Sequence, residues 1–310
     1  MHRSVPFLLS LALLAPLASR AQTNGFAGRW DFDVPAPHGI GSNWLGISEK
    51  NGKLDIWFQP IGGHVYEVSD YKLNGSHLTL TVAPGTSKHP PMIWELDASN
   101  GKLTGTQKQG DKTIALTGLP APALNRRAPA AWGQPEPLFD GKDLKGWQPI
   151  GDTAHNNWVV ENGELVNKAH GANLETTRKF NDFKLHFEVN CPNDGNSGFY
   201  LRGRYELQIE YEPVDQNPPN RRIGAIYGRI TPAVKVPPKP SQWETFDVTL
   251  IGRTVTVVRD GKTTIDHKEI DGITGGALNA DEGEPGPFYI QGDHTGGLKF
   301  RDITVSVPKS

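Results

Sequence analysis

The chain has 310 residues, which is long enough for two domains of ordinary size. Its 32 basic and 34 acidic residues give a formal net charge of -2, so the charge balance favours neither nucleic acid nor an anionic membrane as a partner. Glycine (35) and proline (25) make up about a fifth of the chain, and this share suits many tight turns between short strands.

Residues 1–21 are predicted to be a secretory signal peptide. His2 and Arg3 form a short basic start, Val5–Leu17 is mostly apolar, and Ser19–Ala21 offers a small residue at each position that a signal peptidase inspects. The alternative is a membrane anchor, but these about 13 residues are fewer than the ~20 that a spanning helix needs. We therefore expect a periplasmic or secreted protein with no membrane anchor after the signal is removed.

Cys191 is the only cysteine, so the mature chain cannot form an internal disulfide. It stands beside Pro192 at the end of a strand-like segment, where a buried structural thiol is favoured over a reactive nucleophile. The stability of an exported protein of this kind then depends on the size of its hydrophobic core.

Residues 22–119 are predicted to form a small all-β domain. Its segments Leu54–Phe58 and His77–Val82 alternate apolar and polar side chains, and Asn-Gly pairs that favour hairpin turns occur at 51–52, 74–75 and 100–101. This pattern predicts an antiparallel barrel or sandwich of about six to eight strands. Gly28-Arg29-Trp30 resembles the opening strand of lipocalin-like barrels.

Residues 120–137 are predicted to be a linker, since they hold five prolines and repeated alanines without an amphipathic pattern. Strand signals resume over residues 138–308. Phe183–Asn190 alternates, and so do Gly198–Arg202 and Tyr205–Glu210, with a bulge or a turn expected at Gly203-Arg204. Many antiparallel strands with inward aromatic residues predict a two-sheet sandwich or jelly roll.

An ordered set of motifs runs through this second half of the chain. The segments are Leu138–Trp147, Trp158–Leu165, Phe180–Phe183, Gly195–Gly203, Tyr205–Ile209, Gly224–Gly228, Gly286–His294 and Phe300–Ile303. In this order they resemble the family of 3-keto-disaccharide hydrolase domains. The resemblance implies a concanavalin A-like jelly roll related to laminarinase-type glucanases, and sugar substrates whose glucosyl C3 hydroxyl has been oxidised to a ketone. Residues 22–119 lie outside it.

A ketone at C3 acidifies the C2 proton, so the substituent at C1 can leave by elimination and water can add afterwards. This chemistry needs a base near C2, an acid near the leaving oxygen and donors for the developing enolate. We expect Glu206 to be the base, Arg202 the donor to the ketone oxygen, and His294 a further acid–base group. The alternatives are a surface ion pair between Arg202 and Glu206, and a polar turn with His294 exposed.

Further side chains on the same strands and motifs are expected to bind the substrate. Alternation places Tyr200 with Arg202 on one face, and Glu206, Gln208 and Glu210 on one polar face. Because Gln208 stands between the two acids, the paired carboxylates of retaining glycosidases are not plainly present. The expected substrate-binding residues are Tyr200, Gln208, Tyr227, Gln291, Asp293 and Asn196.

No metal ligand set or cofactor is predicted. The ten histidines are scattered without zinc spacing, and the chain has no phosphate-binding loop. Asn193–Ser197 has the oxygen-rich composition of a Ca²⁺ loop, but an Asx-rich turn explains it as well. His267 is expected to be an outward strand residue.

Two other classes of function fit parts of this pattern. A non-catalytic carbohydrate-binding protein would use aromatic faces to stack on sugar rings. A structural or interaction protein would use the first domain to bind a partner. Convergence of acid and base side chains in one pocket would favour an enzyme, because a binding module gains nothing from it.

Overall fold

A computed structural model describes residues 25–36, 39–211 and 218–309. The predicted signal peptide lies outside the described residues. Within these ranges the regular structure is strand, apart from the short 3-10 helices Thr153–His155 and Pro219–Arg221. None of the helices described is long and apolar enough to cross a membrane. The all-β class predicted from the sequence is confirmed.

The first part of the chain forms one antiparallel sheet of nine strands in the order β4-β3-β2-β1-β9-β8-β7-β6-β5. The strands are β1 Gly28–Ala36, β2 Gly39–Lys50, β3 Lys53–Gln59, β4 Tyr66–Glu67, β5 Tyr71–Asn74, β6 His77–Ala83, β7 Met92–Ser99, β8 Lys102–Gln109 and β9 Lys112–Pro120. Since β4 and β5 are the two edges of the sheet and are joined by Val68–Asp70, this short segment closes the curled sheet into a barrel.

Alternation in the sequence builds the core of this barrel. Along β6, Leu78, Leu80 and Val82 are buried and the residues between them are half-buried. Trp94 lies at the centre, with its ring edge-on to Phe32 at 4.7 Å and to Phe58 at 5.0 Å. The barrel has more strands than predicted because β4 and β5 are too short to give an alternating pattern of their own.

The rest of the chain forms two facing sheets. Their strands are β10 Glu136–Pro137, β11 Trp147–Ile150, β12 Trp158–Glu161, β13 Glu164–Asn167, β14 Asn173–Phe180, β15 Phe183–Asn190, β16 Asn196–Leu201, β17 Tyr205–Glu210, β18 Trp243–Ile251, β19 Thr254–Arg259, β20 Lys262–Glu269, β21 Gly286–Ile290 and β22 Lys299–Ser306. The five-stranded sheet has the order β11-β14-β21-β16-β17. The eight-stranded sheet has the order β12-β13-β22-β15-β18-β19-β20, with β10 beside β22.

Aromatic side chains fill the space between the two sheets, as the sequence predicted. Phe187 of the eight-stranded sheet stacks on Phe199 of the five-stranded sheet at 4.4 Å and on its neighbour Phe246 at 5.2 Å. All three are buried. This is the sandwich predicted for residues 138–308. Residues 121–135 contain a single bridge, Trp132 to Pro308, and the division of the chain into domains at 120–137 stays a prediction.

The hairpin of β16 and β17 is buried on both faces, and this positions the functional site. Phe199, Leu207 and Ile209 belong to the core between the sheets. Tyr200 and Glu206 are paired across the two strands. Because side chains alternate along a strand, both lie on the opposite face of the hairpin, away from this core. Because the polar side chains on that face are buried, other segments of the protein must cover them.

Replacing Phe187 with alanine tests the sandwich core. Loss of a fully buried ring that touches both sheets should reduce the free energy of unfolding by about 3–5 kcal/mol. The control is Leu119→Ala, whose side chain is 49% exposed and should cost less than ~1 kcal/mol. Urea unfolding measures both variants. Equal unfolding midpoints for Phe187→Ala and the unchanged protein would contradict this packing.

Candidate active site

A cavity of about 250 Å³ covers the polar face of the β16–β17 hairpin. Its size is somewhat below the range of about 300–1,000 Å³ of pockets for drug-sized ligands, and it suits one sugar unit. The five-stranded sheet forms its floor, and the loops after β17, β20 and β21 form its sides. It is lined by Gly62, Gly63, Asn173, Asn196, Tyr200, Glu206, Gln208, Tyr227, Gly276, Leu278, Tyr289, Gln291, Asp293 and His294.

Glu206 is a buried carboxyl group on the floor of this cavity. Tyr200 donates a hydrogen bond to its Oε2 at 2.7 Å. Burial raises the pKa of Glu206 to about 7, although the hydrogen bond from Tyr200 and the charge of His294 lower it. A carboxyl group with a pKa near neutral can both take up and release a proton at physiological pH, which is what a general base requires.

Tyr200 is fixed from several sides. Its ring stacks on Tyr289 with centroids 3.9 Å apart, and Gln291 Nε2 donates to its hydroxyl at 3.1 Å. Burial, followed by the charge of Glu206, raises the pKa of Tyr200 well above its ordinary value. Tyr200 therefore stays protonated and remains a donor to Glu206.

Two glycines leave the room that this pair needs. A Cβ at Gly198 would lie 2.5 Å from Glu206 Oε1, and a Cβ at Gly276 would lie 2.1 Å from the Tyr200 hydroxyl oxygen. Both contacts are far closer than atoms can approach without displacement. Glycine at these positions thus allows the carboxyl and the phenol to lie against the backbone.

Asp293 and His294 form the side of the cavity that follows β21. His294 Nδ1 lies 2.9 Å from Asp293 Oδ1, and Asn173 Nδ2 donates to Asp293 Oδ2 at 3.2 Å. Burial would raise the pKa of Asp293, but its hydrogen bonds and the charge of His294 outweigh burial and hold the pKa below its ordinary value. The cavity therefore holds one carboxylate that stays charged, Asp293, and one carboxyl that titrates near neutral pH, Glu206.

Side-chain amides supply the neutral polar groups of the pocket. Gln208 and Gln291 are both buried, and their Oε1 atoms have no hydrogen-bond partner among the described residues. Gln208 Nε2 lies 3.5 Å from Asn196 Oδ1. Buried acceptors without a partner are costly, and sugar hydroxyl groups are donors of the kind that would satisfy them.

Tyr227 reaches the cavity because its segment runs along the outer edge of β17. The Tyr227 amide donates to Glu206 O at 3.0 Å, and the Gln208 amide donates to Ala225 O at 2.9 Å. These bonds attach the Gly224–Gly228 motif to the strand that carries Glu206. The predicted catalytic and binding residues Glu206, His294, Tyr200, Gln208, Tyr227, Gln291, Asp293 and Asn196 all line one cavity.

Arg202 does not line the cavity, and its predicted place beside Glu206 is wrong. Its φ of 54° and the φ of 68° at Gly203 form the turn between β16 and β17, so the alternation of the strand stops before Arg202. The guanidinium is fully buried, donates to Gly252 O at 2.7 Å and lies 3.2 Å from the hydroxyl of Tyr205, a residue of the core face. Arg202 therefore has a structural position in the turn.

Three other predicted features are not part of the acid–base group, although Asn196 of the third, Asn193–Ser197, lines the cavity. His267 is on β20 with a side chain that is 80% exposed, as an outward strand residue should be. Cys191 is buried, and burial raises the pKa of its thiol to about 12, which suits a structural role. In Asn193–Ser197, Asn193 donates to Asp194 at 2.9 Å and Ser197 donates to Gln291 O at 2.9 Å.

No group of three or more His, Cys, Asp or Glu side chains in residues 25–36, 39–211 and 218–309 is arranged to hold a metal ion. The Ca²⁺ loop at Asn193–Ser197 stays a prediction.

Several lining residues were not predicted. Tyr289 and Asn173 belong to strands of the five-stranded sheet, and Tyr289 lies within a recognised motif, whose alternation with Phe288 was a usable signal. Gly276 and Leu278 come from the loop after β20, which carries no motif. Gly62 and Gly63 come from the barrel, and no local pattern in the sequence indicates that this loop reaches the sandwich.

Comparison with known proteins identifies the family of the second half of the chain. Residues 134–306 match the family described as the 3-keto-alpha-glucoside-1,2-lyase-like domain, which covers more than half of the chain. The chain therefore belongs to this family, and the predicted membership is confirmed. It is a member of a carbohydrate-active family. A search of curated proteins gave no match.

Solved structures with a similar shape include two candidate glycosyl hydrolases from Parabacteroides distasonis ATCC 8503. One is 28% identical, with 55% of this chain and 82% of that chain covered and a TM-score of 0.44. The other is 18% identical, with 56% and 92% covered and a TM-score of 0.46. The GH16 endo-β-1,3(4)-glucanase SCLam is 12% identical, with 61% and 96% covered and a TM-score of 0.35. The family assignment rests on the sequence match alone.

The buried carboxyl group predicts a pH-dependent stability. Because the pKa of Glu206 is raised from 4.5 to about 7, the folded state favours the neutral form, and the free energy of unfolding falls as pH rises between these values. Glu206→Gln removes this effect. The free energy of unfolding of the variant should therefore be about 3 kcal/mol higher than that of the unchanged protein at pH 8, and the two values should be equal at pH 4.

The control is Glu188→Gln, since Glu188 lies on the eight-stranded sheet and pairs with Arg301 at 2.6 Å. Denaturant unfolding at the two pH values measures all three proteins. If Glu206→Gln raises the free energy of unfolding equally at pH 4 and pH 8, burial of the Glu206 charge is not the cause of the stabilisation.

Proposed function

We propose that the chain is an exported enzyme that cleaves the glycosidic bond of 3-keto-glycosides by elimination across C1 and C2, followed by addition of water. The observation that carries the proposal is the buried Glu206, whose pKa is raised to about 7 in a cavity of the size of one sugar unit. The family match supports the substrate class. The basic and apolar segments of residues 1–21 support export.

The reaction begins with removal of the C2 proton. The carboxylate of Glu206 takes this proton, and the electron pair of the C–H bond forms an enolate with the C3 ketone. The enolate then collapses to a ketone with a double bond between C1 and C2, and the bond from C1 to the leaving oxygen breaks. Water then adds its oxygen to C1, Glu206 returns its proton to C2, and the acid that protonated the leaving oxygen takes the proton that water loses, so the net change is hydrolysis.

His294 is the acid that we assign to the leaving oxygen. Its ring Nδ1 lies 2.9 Å from Oδ1 of Asp293, and this contact orients the imidazole. His294 and Glu206 both line the cavity. Base and acid thus lie on different walls of one cavity, as an elimination with a protonated leaving group requires.

Neutral amides take the place of Arg202 as donors to the developing enolate. Gln208 is adjacent to Glu206 on the polar face, and Gln291 already donates to the hydroxyl of Tyr200. Donors fixed in a buried site stabilise developing charge without reorganising at the moment of reaction. Among the lining residues that the structure describes, Gln208 and Gln291 on the floor of the cavity offer dipoles to the C3 ketone oxygen.

Turnover of a 3-keto-glucoside with a chromogenic aglycone tests the function. The unchanged protein should release the aglycone from the 3-keto substrate and leave the unoxidised glucoside intact, because only the ketone acidifies the C2 proton. Glu206→Gln should reduce kcat by about 10²–10⁴-fold, the range typical of a lost general base. Glu188→Gln, away from the cavity, should retain full activity.

Release from both substrates at similar rates would contradict elimination and favour ordinary hydrolysis by the two carboxyl groups of the cavity. Binding of sugars without any release would favour a carbohydrate-binding protein. Full activity of Glu206→Gln would refute the assignment of the base.

The pH dependence of kcat/KM should report Glu206. Since the base must be ionised and the acid protonated, kcat/KM should rise with pH through about 7 on its low-pH limb and fall again at higher pH as the acid loses its proton. Tyr200→Phe removes the hydrogen bond that lowers the pKa of Glu206. The low-pH limb of kcat/KM should therefore move to higher pH in this variant. If the low-pH limb of Tyr200→Phe stays in place or moves to lower pH, the group whose ionisation limits kcat/KM is not Glu206.

A further inference from the structure

We infer that the loop of residues 60–65 in the barrel, here called the barrel loop, is a wall of the substrate pocket and limits the size of the aglycone. This inference rests on the proposed function. Gly62 and Gly63 of the barrel loop line the cavity together with Glu206 and His294. The barrel lies outside the family match at residues 134–306, so the family does not supply this wall.

A backbone hydrogen bond attaches the barrel loop to the sandwich. The Gly62 amide donates to Gly275 O at 2.7 Å. A Cβ at Gly275 would lie 2.0 Å from Gly63 O, so the two backbones are in direct contact only because this residue is glycine. The next residue, Gly276, lines the cavity and accepts a hydrogen bond from Tyr289. The contact is therefore at the edge of the pocket itself.

The barrel loop is also held from within the barrel. Gln59 is fully buried, and its Nε2 donates to Pro60 O at 2.8 Å and to Gly63 O at 2.6 Å. The Asn43 side chain accepts from the Ile61 amide at 2.9 Å. These bonds satisfy backbone groups that a loop would otherwise expose, and they fix its shape before a ligand binds. A wall of fixed shape can select ligands by size.

A second anchor lies on the far side of the loop. Arg221 Nη1 is 3.2 Å from His64 Nδ1, and a Cβ at Gly228 would lie 3.2 Å from His64 Cβ. Gly228 follows Tyr227, which lines the cavity. The barrel loop thus touches two separate parts of the pocket wall, the loop after β20 and the turn that carries Tyr227.

Gly62 is the position at which this wall can be changed with least disturbance. It has a φ of 70°, and a Cβ built there meets nothing within 4 Å. Gly52, in the hairpin turn between β2 and β3, has a φ of 74° and equally open surroundings, but it does not line the cavity. Asparagine tolerates this backbone region better than other side chains. Gly62→Asn and Gly52→Asn are therefore a matched pair.

The experiment compares these variants on two substrates, a methyl 3-keto-glucoside and a 3-keto-disaccharide. Gly62→Asn should lower kcat/KM for the disaccharide by about tenfold or more, because the added side chain takes the space beyond the first ring. For the methyl glycoside kcat/KM should fall by less than ~threefold, and the midpoint of the low-pH limb of kcat/KM should not move. Gly52→Asn should match the unchanged protein on both substrates.

Equal effects of Gly62→Asn and Gly52→Asn on the ratio of the two kcat/KM values would overturn the inference. Melting temperatures show that both variants fold, and Gly62→Asp with Gly52→Asp is the second pair if either does not. If the unchanged protein turns over neither substrate, the proposed function is refuted, but the inference about the barrel loop is still open to test. Calorimetric binding of the same compounds then decides the inference: equal affinities of the two variants, or no binding by the unchanged protein, overturn it.

Discussion

The burial of one carboxyl group, Glu206, is the constraint on which the rest of this site depends. A carboxylate withdrawn from water is costly unless hydrogen bonds compensate it, and here Tyr200 provides one bond while the group remains partly protonated near pH 7. Tyr200 is held in turn by the ring of Tyr289 and the amide of Gln291. Glycine at 198 and at 276 provides the space for this pair.

The sandwich makes such burial possible because the β16–β17 hairpin is covered on both faces. Its core face packs against the eight-stranded sheet through Phe199 and Phe187. Its polar face is covered by the loops of the sandwich and by the barrel loop of residues 60–65. Rigid packing below the floor and fixed loops above it keep Glu206 away from solvent while leaving a cavity for a ligand. Burial of Glu206 thus makes stability fall as pH rises, and it also gives the cavity a carboxyl group that titrates near neutral pH.

Strand alternation and turn chemistry were sufficient to predict the all-β class, the sandwich and the common face of Glu206 and Gln208, whereas the pairing of Tyr200 with Glu206 came from the register of the hairpin. Arg202 was misplaced because alternation holds only while the strand continues, and the positive φ of this residue begins the turn. Gly62 and Gly276 could not be predicted, since they contribute backbone through contacts between segments distant in sequence. Local sequence patterns predict faces of strands, whereas the docking of loops across a fold depends on tertiary packing.

The central claim is that Glu206 breaks the bond between C2 and its hydrogen. The most direct measurement is the kinetic isotope effect on kcat/KM for a 3-keto-glucoside that carries deuterium at C2. If removal of the C2 proton by Glu206 is the step that limits release of the aglycone, the deuterated substrate must react more slowly than the unlabelled one, and this is the result that we predict. Equal rates for the two substrates, with the aglycone still released, would contradict rate-limiting removal of the C2 proton by Glu206.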